Sequence, residues 1–469
     1  VTWNALIGGF AQNGQVKAAF KSFEEMKDDG FHPNVVTFTC LLKACGNMRA
    51  IDKGQKIHAQ IEKLGLLEVY TCIGNFLLDM YAKCNMLEES HEIFFTLPRR
   101  DVVSWTALMS GYVKHNHGEL ALSCLRQMES EGTCPNEVSF VCALKACASI
   151  RDIHKGYQIH DEIVRRGMLG ENTVLGNALV DMYAKCGMLG KAKEVFDKLP
   201  KRDVISWTVL ISGYSQQGLG HEALHFFQRM QDEGVSPNVV TYIMVLKACG
   251  IVGSLEVGQE IDMKVRNRGL LQKDVVLGTA LVDMYAKCGD MPRAEKALLQ
   301  LPVRNVVTWS AVIAGYSEHE KANEALHCFE QMQSEGISPN EVSFICILKA
   351  CGSIRDIEKG KQIHDQIAST GLLRKHIVLG NALIDMYIKC GSLEDARSVF
   401  EGVVERDVVL WGVIIAGYVE SEHVSSVIQL YKEMREEGIM PSNTIFISIL
   451  KACSIIRTID QGRHIHQDI

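Results

Sequence analysis

The sequence is sparing with several residue types: nine prolines, five tryptophans and 7% aromatics in 469 residues, and no excess of positive charge. A formal charge of -7 gives no global affinity for a polyanion, so a nucleic-acid partner would have to be met by a local stripe of Lys and Arg. No run of about 18 uninterrupted apolar residues occurs, so no segment reads as a membrane span. The 16 cysteines include no Cys-x-x-Cys pair, so the usual structural zinc spacing is missing. Neither a Gly-x-x-x-x-Gly-Lys-Ser/Thr phosphate loop nor a Gly-x-Ser-x-Gly nucleophile elbow appears. No Pro/Gly/Ser-rich linker interrupts the chain, and no signal or transit segment opens it. With 47% hydrophobic and 22% charged residues the chain is not disordered, and it has ample material for a large interior.

The few tryptophans and prolines are placed with great regularity. Trp3, Trp105, Trp207, Trp309 and Trp411 are spaced by 102 residues. Eight of the nine prolines follow the same period, as Pro33, Pro135, Pro237, Pro339 and Pro441 and as Pro98, Pro200 and Pro302. A fixed period without insertions predicts one stacked repeat array. Val1 and Ile469 both fall inside repeats, so the sequence reads as a fragment.

Each 102-residue unit divides into pieces of 35, 36 and 31 residues, and each piece reads as two helices. Ala121, Leu122, Leu125 and Met128 recur at helical spacing, and Gly132 followed by Pro135 stops that helix. Gly187, Gly289 and Gly391 mark a second recurrent turn, where the first unit has Asn85. Short Val-Val-Thr and Glu-Val-Ser-Phe runs sit directly before helices and are read as helix starts. The expectation is all-α: thirteen helical hairpins and a truncated fourteenth, wound as a right-handed superhelical solenoid with one helix of each pair lining the concave side. The tryptophans are expected to pack between hairpins.

Nine cysteines join the period. Cys45, Cys147, Cys249, Cys351 and Cys453 end Lys-Ala-Cys, and Cys84, Cys186, Cys288 and Cys390 end runs like Tyr-Ala-Lys-Cys. They are expected to be small packing residues in a reducing compartment. His58, His160, His364 and His466 share one place per unit, but the third unit has Asp262 there, which argues for packing over metal binding or catalysis.

The piece lengths, with Val102-Val103-Ser104-Trp105-Thr106-Ala107-Leu108, the Gly176 to Gly187 run Gly-Asn-Ala-Leu-Val-Asp-Met-Tyr-Ala-Lys-Cys-Gly, and Gly-Tyr-Gln-Ile-His from Gly156, resemble pentatricopeptide repeat proteins over the whole chain. More narrowly they resemble the P-L-S subclass of plant organellar RNA-editing factors. On that resemblance the P pieces are 1–34, 102–136, 204–238, 306–340 and 408–442, and the L pieces are 35–70, 137–172, 239–274 and 341–376. The S pieces are 71–101, 173–203, 275–305 and 377–407, and 443–469 is a truncated L piece.

The resemblance implies sequence-specific binding of single-stranded RNA, one base per repeat, read by the fifth residue of the first helix and the last residue of the motif. The P pieces then supply Asn4 with Asn34, Thr106 with Asn136, Thr208 with Asn238, Ser310 with Asn340, and Gly412 with Ser442. The S pieces supply Asn75 with Asp101, Asn177 with Asp203, Thr279 with Asn305, and Asn381 with Asp407. By the family's code Asn with Asp implies U, Thr or Ser with Asn implies A, and Asn with Asn implies a pyrimidine. Gly412 has no side chain to read with. The L pieces place Val141, Ile243, Ile345 and Ile447 at the reading position, which makes them spacers; only Thr39 is polar there. The implied target is 5'-YnUAnUAnAAnUn-3'. The same Asn, Thr and Asp residues also suit helix capping.

The resemblance further implies base stacking by Val103, Val174, Ile205, Val276, Val307 and Val378, with Val409 and Cys72 at the same place. Lys83, Lys185, Lys287 and Lys389 either face phosphates or form a solvated helix end, and Lys43, Lys145, Lys247, Lys349 and Lys451 carry the same ambiguity. A zinc deaminase needs His-x-Glu with Pro-Cys-x-x-Cys, and His160-Asp161-Glu162 and His117-Gly118-Glu119 supply only the first half. The chain is therefore expected to recognise RNA without catalysis, metal or cofactor. What the resemblance implies is organellar RNA processing or modification, with C-to-U editing sites as targets, in the mitochondrion or chloroplast, with other RNA-editing proteins as further partners and no membrane. A helical scaffold for protein partners stays open as the alternative.

Overall fold

A computed structural model of the chain describes residues 2–170, 173–374, 376–403 and 405–456. His466 and the rest of 457–469, together with Asn172 at the end of the piece 137–172, lie outside the described residues. The described residues form 28 α-helices and one short 3-10 helix, and no strand. Thirteen helical hairpins precede a single helix, Asn443–Ile456, so the array is all-α as expected.

The chain divides into two compact units, Val1–Thr241 and Tyr242–Ile469. In the first, the leading helices of successive hairpins are Thr2–Gln12, Val35–Met48, Thr71–Lys83, Val102–Lys114, Glu137–Ile150, Thr173–Lys185 and Val204–Gln216, each packed on the next. In the second unit the leading helices Val275–Lys287, Val306–Glu318, Glu341–Ile354, Ile377–Lys389, Val408–Glu420 and Asn443–Ile456 follow the same order.

The β-branched runs start helices because a cap residue precedes them. Asp101 accepts from the backbone N–H and hydroxyl of Ser104, and the Asp101 N–H donates back to that hydroxyl, closing a capping box. Asn34, Asn136, Asp203, Asn305 and Asn340 close the same box. At the far end Gly30, Gly132, Gly234, Gly336 and Gly438 take φ of 74 to 78°. Asn85, with φ 66°, occupies the left-handed turn that Gly187 fills in the next unit. Arg49, Arg151 and Arg355 also end their helices in this conformation, at φ 53 to 58°, where the third unit has Gly253.

Trp105, Trp207, Trp309 and Trp411 are buried where one hairpin meets the next. The ring of Trp105 meets Phe94 edge-on with centroids 4.5 Å apart, and Phe196 with Trp207 and Phe400 with Trp411 repeat this at 4.7 and 4.6 Å. The third unit has buried Leu298 in place of the phenylalanine, and Trp309 Nε1 donates to Glu335 at 3.2 Å. Cys45, Cys147, Cys249 and Cys351 are buried, and burial pushes each thiol up to about 12, as suits inert packing residues.

The histidine series joins neighbouring hairpins. His58, His160 and His364 place Nδ1 at 3.0, 2.7 and 2.9 Å from the hydroxyls of Tyr81, Tyr183 and Tyr387. In the third unit Asp262 accepts from the Tyr285 hydroxyl at 2.8 Å. A carboxylate only accepts, so the tyrosine donates there, and a histidine with unprotonated Nδ1 completes the same bond. Burial lowers the pKa of His160, with smaller opposing pulls from Asp161 and Glu194 and pushes from Lys191 and Lys198. The folded state thus binds its proton less readily than the unfolded chain. This contribution is full above the ordinary value of 6.5 and is lost as pH falls through the lowered folded value. Replacing His160 with Asn keeps an acceptor for Tyr183 and removes the titration. The expected result is a smaller loss of stability between pH 7.5 and 5 than in the unmodified chain, read by urea unfolding at both pH values.

Candidate nucleic-acid interface

On each leading helix the second, fifth and ninth residues share one face, because three or four residues make a turn. The second position is apolar and exposed almost throughout. Val103 is 52% exposed, Val174 61%, Ile205 54%, Val276 63%, Val307 54%, Val378 53% and Val409 54%, and Cys72 is exposed too. Val36, Val138, Val240 and Val342 of the 36-residue pieces are equally exposed at this position, and sequence reasoning missed them. Their signal was present, since each precedes the fifth position by three residues as Val103 does. A repeated half-exposed aliphatic is costly in water unless a partner covers it.

The fifth position lies below this rim. Asn75, Thr106, Asn177, Thr208 and Ser310 are 5 to 9% exposed, while Asn4, Thr279 and Asn381 are half-buried. The last residue of the piece, being the N-cap of the following helix, stands beside it. Asn4 Nδ2 donates to Asn34 Oδ1 at 3.0 Å and Asn75 Nδ2 to Asp101 Oδ1 at 3.3 Å. Asn177 reaches Asp203 at 3.5 Å, and the Ser310 hydroxyl donates to Asn340 Oδ1 at 3.2 Å. Thr208 is linked to Asn238 through the Thr241 hydroxyl, at 2.7 and 2.9 Å. The other three pairs are not joined directly. Thr106 donates to the Val103 carbonyl and Thr279 to the Val275 carbonyl, while Asn136, Asn305 and Asp407 cap their helices.

Capping and reading are compatible, because the cap uses one atom of the side chain and leaves the other. Asp101 and Asp203 spend Oδ1 on the serine at the third helical position, through its N–H and hydroxyl, and keep Oδ2. Asn136, Asn238 and Asn340 spend Oδ1 in the same way, which fixes the amide so that Nδ2, a donor, is left. Burial alone would raise the Asp101 carboxyl, but the hydrogen bonds from the backbone and side chain of Ser104 and from Asn75 outweigh it and hold the group below its ordinary value. Asp203 is lowered for the same reasons, with Asn177 as its side-chain donor. The oxygens Oδ1 of Asn75, Asn177 and Asn381 are buried without a hydrogen-bond partner, an arrangement that costs stability unless a donor meets it.

An open cleft of ≈ 450 Å³ between the helices Thr71–Lys83 and Val102–Lys114 brings these elements together. Cys72 and Val103 flank it, and Asn75, Asp101 and Thr106 line it, with Asp79 and Ser110 from the ninth positions.

The lysines expected to face phosphates are held by acids one turn away. Lys83, Lys185, Lys287 and Lys389 pair with Asp79, Asp181, Asp283 and Asp385 at 2.6 to 2.8 Å. Each is a neutralised pair, so its net charge toward an anion is small. Gly412 leaves room at its fifth position: an added Cβ would meet only Ile445, at 3.6 Å. Among the described residues no three His, Cys, Asp or Glu side chains are grouped to hold a metal ion, and no helix is long and apolar enough to cross a membrane.

Comparison with known proteins identifies the family. The PPR repeat family is matched at residues 1–47, 100–149, 202–250 and 304–353, and the PPR repeat at 75–102, 177–204, 381–408 and 409–439. A chloroplastic pentatricopeptide repeat-containing protein of Arabidopsis thaliana is 33% identical over 462 residues, covering 97% of this chain and 73% of the relative. A mitochondrial one from the same plant is 31% identical, covering 98% and 66%, and a second chloroplastic one is 33% identical, covering 98% and 57%. The chain thus spans between 57 and 73% of the length of these relatives. Among solved structures, the pentatricopeptide repeat protein PPR10 in complex with an 18-nt psaJ RNA element superposes with a TM-score of 0.69 at 18% identity, covering 99% of this chain and 72% of that one. PPR10 from maize gives 0.61 at 17% identity, covering 100% and 73%, a likeness of fold. The chain belongs to the pentatricopeptide repeat family.

Proposed function

We propose that this chain is a sequence-specific single-stranded RNA-binding array of the P-L-S kind, with the piece boundaries given above, and that it selects sites for RNA processing or modification in a plant organelle, C-to-U editing above all. The observation that carries the reading is the paired fifth and last positions, whose uncommitted polar atoms sit between exposed aliphatic side chains. An Asn with Asp offers the unpartnered Asn Oδ1 and the Asp Oδ2, two acceptors. These suit the N3–H donor of uracil and repel the N1 acceptor of adenine. A Thr or Ser with Asn offers a hydroxyl oxygen, whose proton goes to its own helix at Thr106 and Thr279, together with an amide donor. One acceptor and one donor complement adenine's N6–H and N1.

PPR10, of like fold, has been crystallised with an RNA element, and the named relatives are chloroplastic and mitochondrial. Recognition is the role of this chain; base chemistry would belong to other domains or partners. The test is binding of the 13-nucleotide 5'-YnUAnUAnAAnUn-3' against the same RNA with A and U exchanged at the read positions. Tighter binding of the first supports the assignment. Equal or absent binding overturns it and favours a scaffold for proteins.

A further inference from the structure

The 36-residue pieces cannot read a base through Val141, Ile243 or Ile345, yet they carry an uncompensated cation on the same helix face. Lys43, Lys145, Lys247, Lys349 and Lys451 occupy the ninth position of their leading helices, two turns after the exposed second position, and all five are exposed. None of them forms an ion pair among the described residues, in contrast to the Lys83 series and its aspartates. At the same position the 35-residue pieces have small residues such as Ser110 and Ser212, and the 31-residue pieces have the paired Asp79 and Asp181. The face therefore repeats small, free lysine, neutralised pair.

We infer that these lysines bind the RNA backbone at every third nucleotide, so that the L pieces act as sequence-independent phosphate anchors between the read positions. This rests on the RNA-binding reading above. A protein whose overall charge is -7 needs local cations to hold a polyanion, and these five are the series on the leading helices that no acid offsets. A point-charge ammonium on a flexible stem suits a phosphate and tolerates any base.

The experiment is the salt dependence of binding to the 13-nucleotide RNA and to its A/U-exchanged form, with Lys43, Lys145, Lys247 and Lys349 each changed to Gln. The control removes the same charge from the second helices, at Lys56, Lys63, Lys296 and Lys432, which are exposed and likewise form no ion pair among the described residues. Each phosphate contact to a single strand contributes about 0.7 to the slope of log K against log salt, so the quadruple variant should lose about 3 in slope and, with the two lines meeting near 1 M, roughly several hundredfold in affinity at about 0.1 M salt. The ratio between the two RNAs should not move, the control should keep its slope, and Arg at the four positions should restore it. An unchanged slope with binding intact, or an altered ratio between the RNAs, overturns this inference alone. Absence of RNA binding by the unmodified chain overturns the functional reading, and this inference with it.

Discussion

Replacing Trp207 with alanine should destabilise the protein more than any other single change considered, by about 3–5 kcal/mol, the range for truncating a buried tryptophan. Trp207 is fully buried, meets Phe196 at 4.7 Å and has the Arg229 guanidinium over its ring at 5.5 Å. It belongs to the leading helix of one hairpin and Phe196 to the second helix of the one before, so its loss severs a nearest-neighbour interface. In a repeat array stability is a sum of hairpin and interface terms, and a broken interface uncouples the two sides. Urea unfolding should therefore show a lowered midpoint and a broader or split transition. Its Nε1 is buried without a partner, so Trp207→Phe removes an unsatisfied donor while keeping most of the ring and should cost far less. Val103→Ala, at an exposed position, should stay within about 0.5 kcal/mol. Similar costs for Trp207→Ala and Val103→Ala would contradict this account of the joint.

The second large effect concerns specificity. Asn177→Thr together with Asp203→Asn should change the preferred sixth nucleotide from U to A. Both replacements already exist in the chain at the same spacing: Thr279 precedes Asn305 in another 31-residue piece. Asn caps its helix as Asp does, through Oδ1 to the third helical N–H, so the fold should be kept. What changes is the leftover atom, from the Oδ2 acceptor to an Nδ2 donor. A directly read base edge is worth about 1–3 kcal/mol, so the swap in preference should be roughly tenfold or more in Kd, measured by titrating four RNAs that differ at this nucleotide. Loss of affinity for all four alike, with no new preference, would show that the pair supports structure only.

The helix starts were legible because Asp101, Asn136 and their equivalents carry both a capping side chain and a serine or threonine three residues later. The turn at Asn85 was legible from its alignment with Gly187. Arg49, Arg151 and Arg355 were not, because nothing local marks an arginine for a left-handed conformation; only the equivalence with Gly253 hints at it. The tyrosine partners of His58, His160 and His364 lie 23 residues away on the next hairpin, a distance that no local pattern reveals. The Asp79 to Lys83 pairing could have been read, since four-residue spacing on a helix brings opposite charges together, and it reverses the relative promise of the two lysine series. Capping and base reading looked like competing explanations of the same residues; the geometry of Asp101 lets one side chain do both.

The most direct test of base-by-base reading is selection from a fully randomised RNA pool, followed by counting base preference at each position. The account predicts enrichment with a three-nucleotide rhythm, two specified positions followed by an unspecified one, with U opposite the Asn177 and Asp203 pair and A opposite Thr208 and Asn238. Enrichment without that rhythm, or no enrichment over the starting pool, would contradict it.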